Sequence, residues 1–176
     1  TGSTSNGVMT YVSGTTINSE ANLTFDGSTL TVAGADVQLS GVSNIILDSS
    51  LAEATSGTII KLHSKVTTAG RCYTLLSTAG GSWDDADATD SSYSTGLLAI
   101  AVGISATDDG MLLNGIFYDS SHGFTIGQPL YLDPASPGDL TTTPPVEPDE
   151  VARVVGYAID TDEIYFNPDN TWILLS

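Results

Sequence analysis

LLAIAVGI, residues 97 to 104, is the longest apolar run in the chain. It is far too short to cross a bilayer, which takes ~20 apolar residues, and a continuous run of this length reads as a strand buried on both faces at the centre of a sheet. Around it lie further segments of the same kind: TIIKLHSKV (58–66), RCYTLL (71–76), MLLNGIFY (111–118), PLYLD (129–133), VARVVGYAI (151–159), EIYFN (163–167) and TWILL (171–175). They are separated by turn-forming residues at the short, regular spacing of an all-β sandwich or barrel. The stretch between residues 133 and 150 holds five of the seven prolines together with several acids. It is expected to be a stiff, exposed excursion that supplies a loop or an edge strand.

The first third of the chain is thinner. NLTFDGSTLTV (22–32) has a hairpin pattern: Leu23 and Phe25 share a face, Asp26-Gly27 tolerates the positive φ of a tight turn, and Leu30 and Val32 resume the alternation. MTYVSGTTI (9–17) has a similar order of apolar, Thr, aromatic and Gly positions, and VQLSGVSNIIL (37–47) is a looser third copy. Four apolar side chains per hairpin make a stripe and not a core, and an isolated hairpin is marginal in water. The region therefore needs more strands, either from other copies of the chain, as in a shaft with a shared interior, or from the domain that follows. The expected class is all-β: a short Gly/Thr-rich hairpin shaft or arm over residues 1–50, then a compact sandwich or barrel head over residues 51–176.

Composition narrows the partners. Twenty-one acids face only Lys61, Lys65, Arg71 and Arg153, a net charge of −17, so nucleic acid and anionic membrane are poor partners. With 14% charged residues and 18 glycines, tight turns and short strands are favoured over salt-bridged helices. Cys72 is the only cysteine; no intrachain disulfide is possible, and its apolar flanks mark it as a small buried hydrophobe.

Little catalytic chemistry can be read. His63 falls in an expected strand and His122 in the loop SSHG beside Asp119, but there is no G-x-S-x-G elbow, and near neighbours in sequence do not readily adopt triad geometry. No catalytic residue and no cofactor is assigned. Metal candidates are Asp84, Asp85, Asp87 and Asp90 in WDDADATD, with Asp108 and Asp109 in ATDDG. Clustered carboxylates and hydroxyls suit Ca²⁺, although the EF-hand order is absent, and a solvated acidic loop accounts for the same residues. Arg153, alone among acids in the last hundred residues, is expected to anchor an ion pair, and Trp172 to lock a terminal strand.

GFTIGQPLYLDPASPGDLTTTPP (123–145), RVVGYAID (153–160) and IYFNPDNTWILL (164–175) together resemble a carboxy-terminal module of tailed-phage virion proteins. The hairpin region resembles segments that recur in phage tail-fibre sequences. The resemblance implies a non-enzymatic, homotrimeric component of the virion that contacts other virion proteins and a host-surface glycan or protein, without nucleic-acid binding or membrane insertion. Two other roles fit the same resemblance: a capsid decoration protein that stabilises the shell, and, more remotely, a tailspike that degrades polysaccharide through paired carboxylates. The Gly/Ser/Thr-rich opening without an initiator Met is expected of a fragment or processed chain.

Overall fold

The computed structural model describes residues 7–13, 16–25, 30–32, 55–120 and 122–176. The chain divides into two compact units, Thr1–Ile45 and Ile46–Ser176. In the first, strands β1 (Gly7–Ser13), β2 (Thr16–Phe25) and β3 (Leu30–Val32) form an antiparallel sheet in that order. The hairpin expected of residues 22–32 is present, with Leu23 opposite Val32 and Phe25 opposite Leu30. The Asp26-Gly27 turn and the looser copy at 37–47 lie outside the described residues.

The second unit is built from β4 (Ser56–Ile60), β5 (Cys72–Leu76), β6 (Ser82–Asp85), β7 (Leu98–Ala101), β8 (Met111–Tyr118), β9 (Pro129–Leu132), β10 (Leu140–Thr141), β11 (Val151–Ala152), β12 (Gly156–Ala158), β13 (Glu163–Phe166) and β14 (Ile173–Leu174). Among the described residues, helix is confined to one α turn, Ser91–Ser94, and one 3-10 turn, Thr78–Gly80. The fold is all-β, a curled antiparallel sheet that forms a half-barrel.

Its organising strand is β8. Leu112 is paired with both Ile59 of β4 and Ile100 of β7, and Gly115 with both Gly57 of β4 and Phe166 of β13. A strand has two edges, so β4 occupies one while β7 and β13 divide the other between them. The sheet forks there. One wing runs β7-β5-β6 and the other β13-β12-β9-β10. Gly57 faces Gly115 across the β4–β8 pair because nothing larger fits: a Cβ on Gly115 would come within 2.1 Å of the Ser56 carbonyl oxygen.

The main core fills the space between the wings. Leu98 and Ile100 of β7, Leu112 and Phe117 of β8, Leu130 and Leu132 of β9, and Ile164 and Phe166 of β13 pack there with Cys72. Each such side chain contributes ~1.5–3 kcal/mol by leaving water. A second cluster, Tyr73, Trp83, Ala99, Ala101, Ala106 and Met111, covers the other face of the first wing. The residues of β7 thus alternate between two cores, as the unbroken apolar run requires.

Several expected elements differ. VARVVGYAI is two short strands, β11 paired with β14 and β12 paired with β9 and β13, because the chain changes partner at Arg153–Val155. TIIKLHSKV leaves the sheet after Ile60; His63 has φ +53° and lies in a loop pinned by the Trp83 indole N–H, which donates to the Leu62 carbonyl at 2.8 Å. Residues 83–85, read as the start of an acidic loop, belong to strand β6.

The proline-rich stretch is more than an excursion. It does supply the edge strand β10, but its turn also closes the fork: Cys72 N–H donates to the Gly138 carbonyl at 2.7 Å, and Gly138 N–H donates to the Ala86 carbonyl at 2.7 Å. Further along, Val151 N–H donates to the Ala88 carbonyl at 2.8 Å. Gly138 has φ +85°, and a Cβ there would fall 2.6 Å from Arg71 Nε. Gly127 has a similar φ, +86°, with open space around it. Gly127→Ala should therefore cost only the backbone penalty, ~1 kcal/mol, and Gly138→Ala at least ~2–3 kcal/mol, since it also displaces the Arg71 guanidinium. Urea denaturation of the two variants checks this; equal losses would contradict the closure.

Candidate functional site

The acids are placed by local backbone chemistry. An Asp followed two residues later by Ser or Thr folds back on itself: Asp87 Oδ1 accepts the Thr89 N–H and hydroxyl, Asp90 Oδ1 those of Ser92, and Asp169 Oδ1 those of Thr171. The carboxyls of Asp90 and Asp169 are held below the usual range, chiefly by the hydroxyls of Ser92 and Thr171.

The six metal candidates are dispersed among such tasks. Asp84 pairs with Lys65 at 3.3 Å, and Asp85 lies 3.8 Å from Arg71 Nε, both on β6. Asp87 and Asp90 hold their turns. Asp108 accepts the Ser105 hydroxyl at 2.7 Å, and Asp109 accepts the Ser105 N–H at 3.0 Å. Among the described residues no group of three or more His, Cys, Asp or Glu side chains is arranged to hold a metal ion.

Arg71 bridges elements: its guanidinium donates to the Pro137 carbonyl and lies 3.6 Å from Asp139. His122 stacks on Phe124, and its Nδ1 accepts the Phe124 N–H at 3.0 Å. Cys72 is fully buried, and burial pushes its thiol up to about 12, out of the range of a nucleophile at neutral pH.

Arg153 works chiefly through backbone carbonyls, with charge attraction to the Asp169 carboxylate added to them. It is 5% exposed, and its guanidinium donates to three backbone carbonyls, those of Asp169 at 2.7 Å and of Ser94 and Gly96 at 2.9 Å. Burial lowers its pKa from the usual guanidinium value. The planar fork ties the helical turn after β6 to the Asp169 turn before β14. Its central carbon also lies 5.8 Å from the Trp172 ring centre, a cation–π contact that fixes an indole left 46% exposed.

Trp172 therefore stands as a held aromatic surface that lines two clefts. One, of about 460 Å³, is lined by Thr95, Leu97, Leu113, Asn167 and Asn170 with Arg153. The other, of about 380 Å³, is more apolar and is lined by Tyr131, Pro144, Val154 and Ile173. Sequence reading singled out Trp172 but missed these neighbours. Asp169-x-Thr171 was a readable turn signal; the approach of residues 95–97 and 113 was not, because it depends on the fork at β8. Compared with family models, curated proteins and solved structures, the chain has no significant match.

Two outcomes follow from this geometry. Arg153→Ala leaves three carbonyls without their donor and should destabilise the protein by ~3 kcal/mol or more, and Arg153→Lys should recover only part of that loss in denaturant titration. Asp169, with a lowered folded pKa, contributes stability above the ordinary carboxyl value and loses it as pH falls through the folded value. Trp172 emission should hold constant from pH 8 to 5 and change only below ~4.

Proposed function

We propose that the chain is a non-enzymatic structural protein of a tailed-phage virion, a tail-fibre or appendage component that assembles as a homotrimer and attaches to a host surface. The observation that carries this reading is the contrast between the two units: a hairpin region with strand patterning but little apolar sequence, ahead of a head with two cores of its own. The first is suited to sharing an interior with other copies, and the resemblance of both regions to phage structural segments supports the same conclusion. The head presents its chemistry on loops and short edge strands held by a rigid sheet, where variation leaves the core undisturbed. Three copies engaging one surface convert weak single sites into firm attachment.

Light scattering on the full chain should give about three times the 18.2 kDa chain mass; a monomer would contradict the assembly. The trimer should bind host cells saturably and release no reducing ends from host polysaccharide. Binding to purified capsids with none to cells would instead identify a decoration protein. Release of reducing ends, lost on changing one Asp or Glu, would identify an enzyme.

A further inference from the structure

We infer that the cleft beside Trp172 is a binding site for an uncharged saccharide, seated with a pyranose face on the indole. This deepens the attachment reading by naming the ligand class and the residues that take it. Three features of the cleft point to this ligand.

The first is the indole itself. A sugar ring has a C–H face and an equatorial rim of hydroxyls, so it needs an aromatic plane bordered by amide and hydroxyl groups. Trp172 supplies the plane, and the cation–π contact with Arg153 holds it before any ligand arrives. Pre-ordering of this kind removes part of the entropy cost of binding.

The second is the composition of the cleft. Leu97 and Leu113 give apolar lining, while Thr95, Asn167 and Asn170 give polar partners. The Asn167 Oδ1 accepts from Asn114 Nδ2 at 2.9 Å, which orients the Asn167 amide and leaves its N–H₂ to donate. At about 460 Å³ the space lies in the usual range for a small-molecule site. The adjoining cleft that Trp172 also lines gives a longer oligosaccharide a second apolar surface.

The third is charge. The Arg153 guanidinium is committed to three carbonyls, and the nearby Asp169 carboxylate to Thr171. The Nε and Nη1 donors of Arg153 and the Oδ1 of Asp169 are thus already engaged, and the field of a chain at −17 opposes anionic sugars.

The protein contains two tryptophans, and Trp83 is 1% exposed, so a ligand-dependent change in tryptophan emission or in acrylamide quenching reports Trp172. The full chain would be titrated with maltotriose, cellotriose and chitotriose, and with trigalacturonate as the anionic counterpart, to about 10 mM, above the ~1 mM dissociation constant of a weak single site. The expected result is a saturable change with at least one neutral trisaccharide and none with trigalacturonate. By calorimetry, Trp172→Ala should lose binding at least tenfold. Asn170→Ala, at an exposed position, should lose it about two- to tenfold, the value of one hydrogen bond, and keeps the proposal testable if Trp172→Ala does not fold. No response to any neutral trisaccharide, an equal response to trigalacturonate, or unchanged affinity in both variants would overturn the assignment. Cell attachment retained by Trp172→Ala would overturn the site and leave the attachment reading standing; saccharide binding without cell attachment would do the reverse.

Discussion

The head depends on one constraint: β8 has two edges and three partners. Because β4 runs along one edge from Met111 to Ile116, β7 and β13 must share the other, and the sheet can satisfy both only by splitting into wings. Splitting creates the space that the main core fills, and it leaves backbone groups on β5 and after β6 in need of partners. The turn at Gly138 supplies them. A fork without that closure would leave buried amides unpaired, at a cost of ~1–3 kcal/mol each.

The same division sets where chemistry can be displayed. The turn after β6 leaves the first wing, the segment around Asp169 leaves β13 of the second, and both present carbonyls to Arg153. One buried guanidinium satisfies three of them and sets its central carbon over the Trp172 ring. A structural need, the pairing of orphan carbonyls, thereby produces a fixed aromatic surface with polar neighbours. The acids have a comparable local explanation. Asp87, Asp90 and Asp169 close turns, so part of the large negative charge reflects a preference for Asp-x-Ser/Thr turns and not a ligand site.

Much of the fold was legible because it follows from period and punctuation. The unbroken run in β7, the strands at 72–76, 111–118, 129–132 and 163–166, and the hairpin of residues 22–32 could each be read from neighbouring residues alone. Features set by distant partners could not. VARVVGYAI looks like one strand until the fork gives its halves different neighbours, and Trp83 draws residues 62–63 out of an apparently alternating strand. The acidic run at 83–90 hid a strand because Asp84 and Asp85 find Lys65 and Arg71 across the fold. Of the candidate cleft, only Trp172 was picked out from the sequence; the Asp169-x-Thr171 turn was a local signal left unread, and Thr95, Leu97 and Leu113 reach the cleft through tertiary structure.

The closure of the fork by a proline-rich turn is the claim on which the rest stands, and amide hydrogen exchange tests it most directly. Exposed turns rich in Pro and Gly normally exchange by small local openings, whereas amides bonded into a core exchange only on global unfolding. The Gly138 and Val151 amides should exchange as slowly as those of β8 and change in parallel with them as denaturant is added. Rapid exchange at Gly138 while β8 stays protected would contradict the closure.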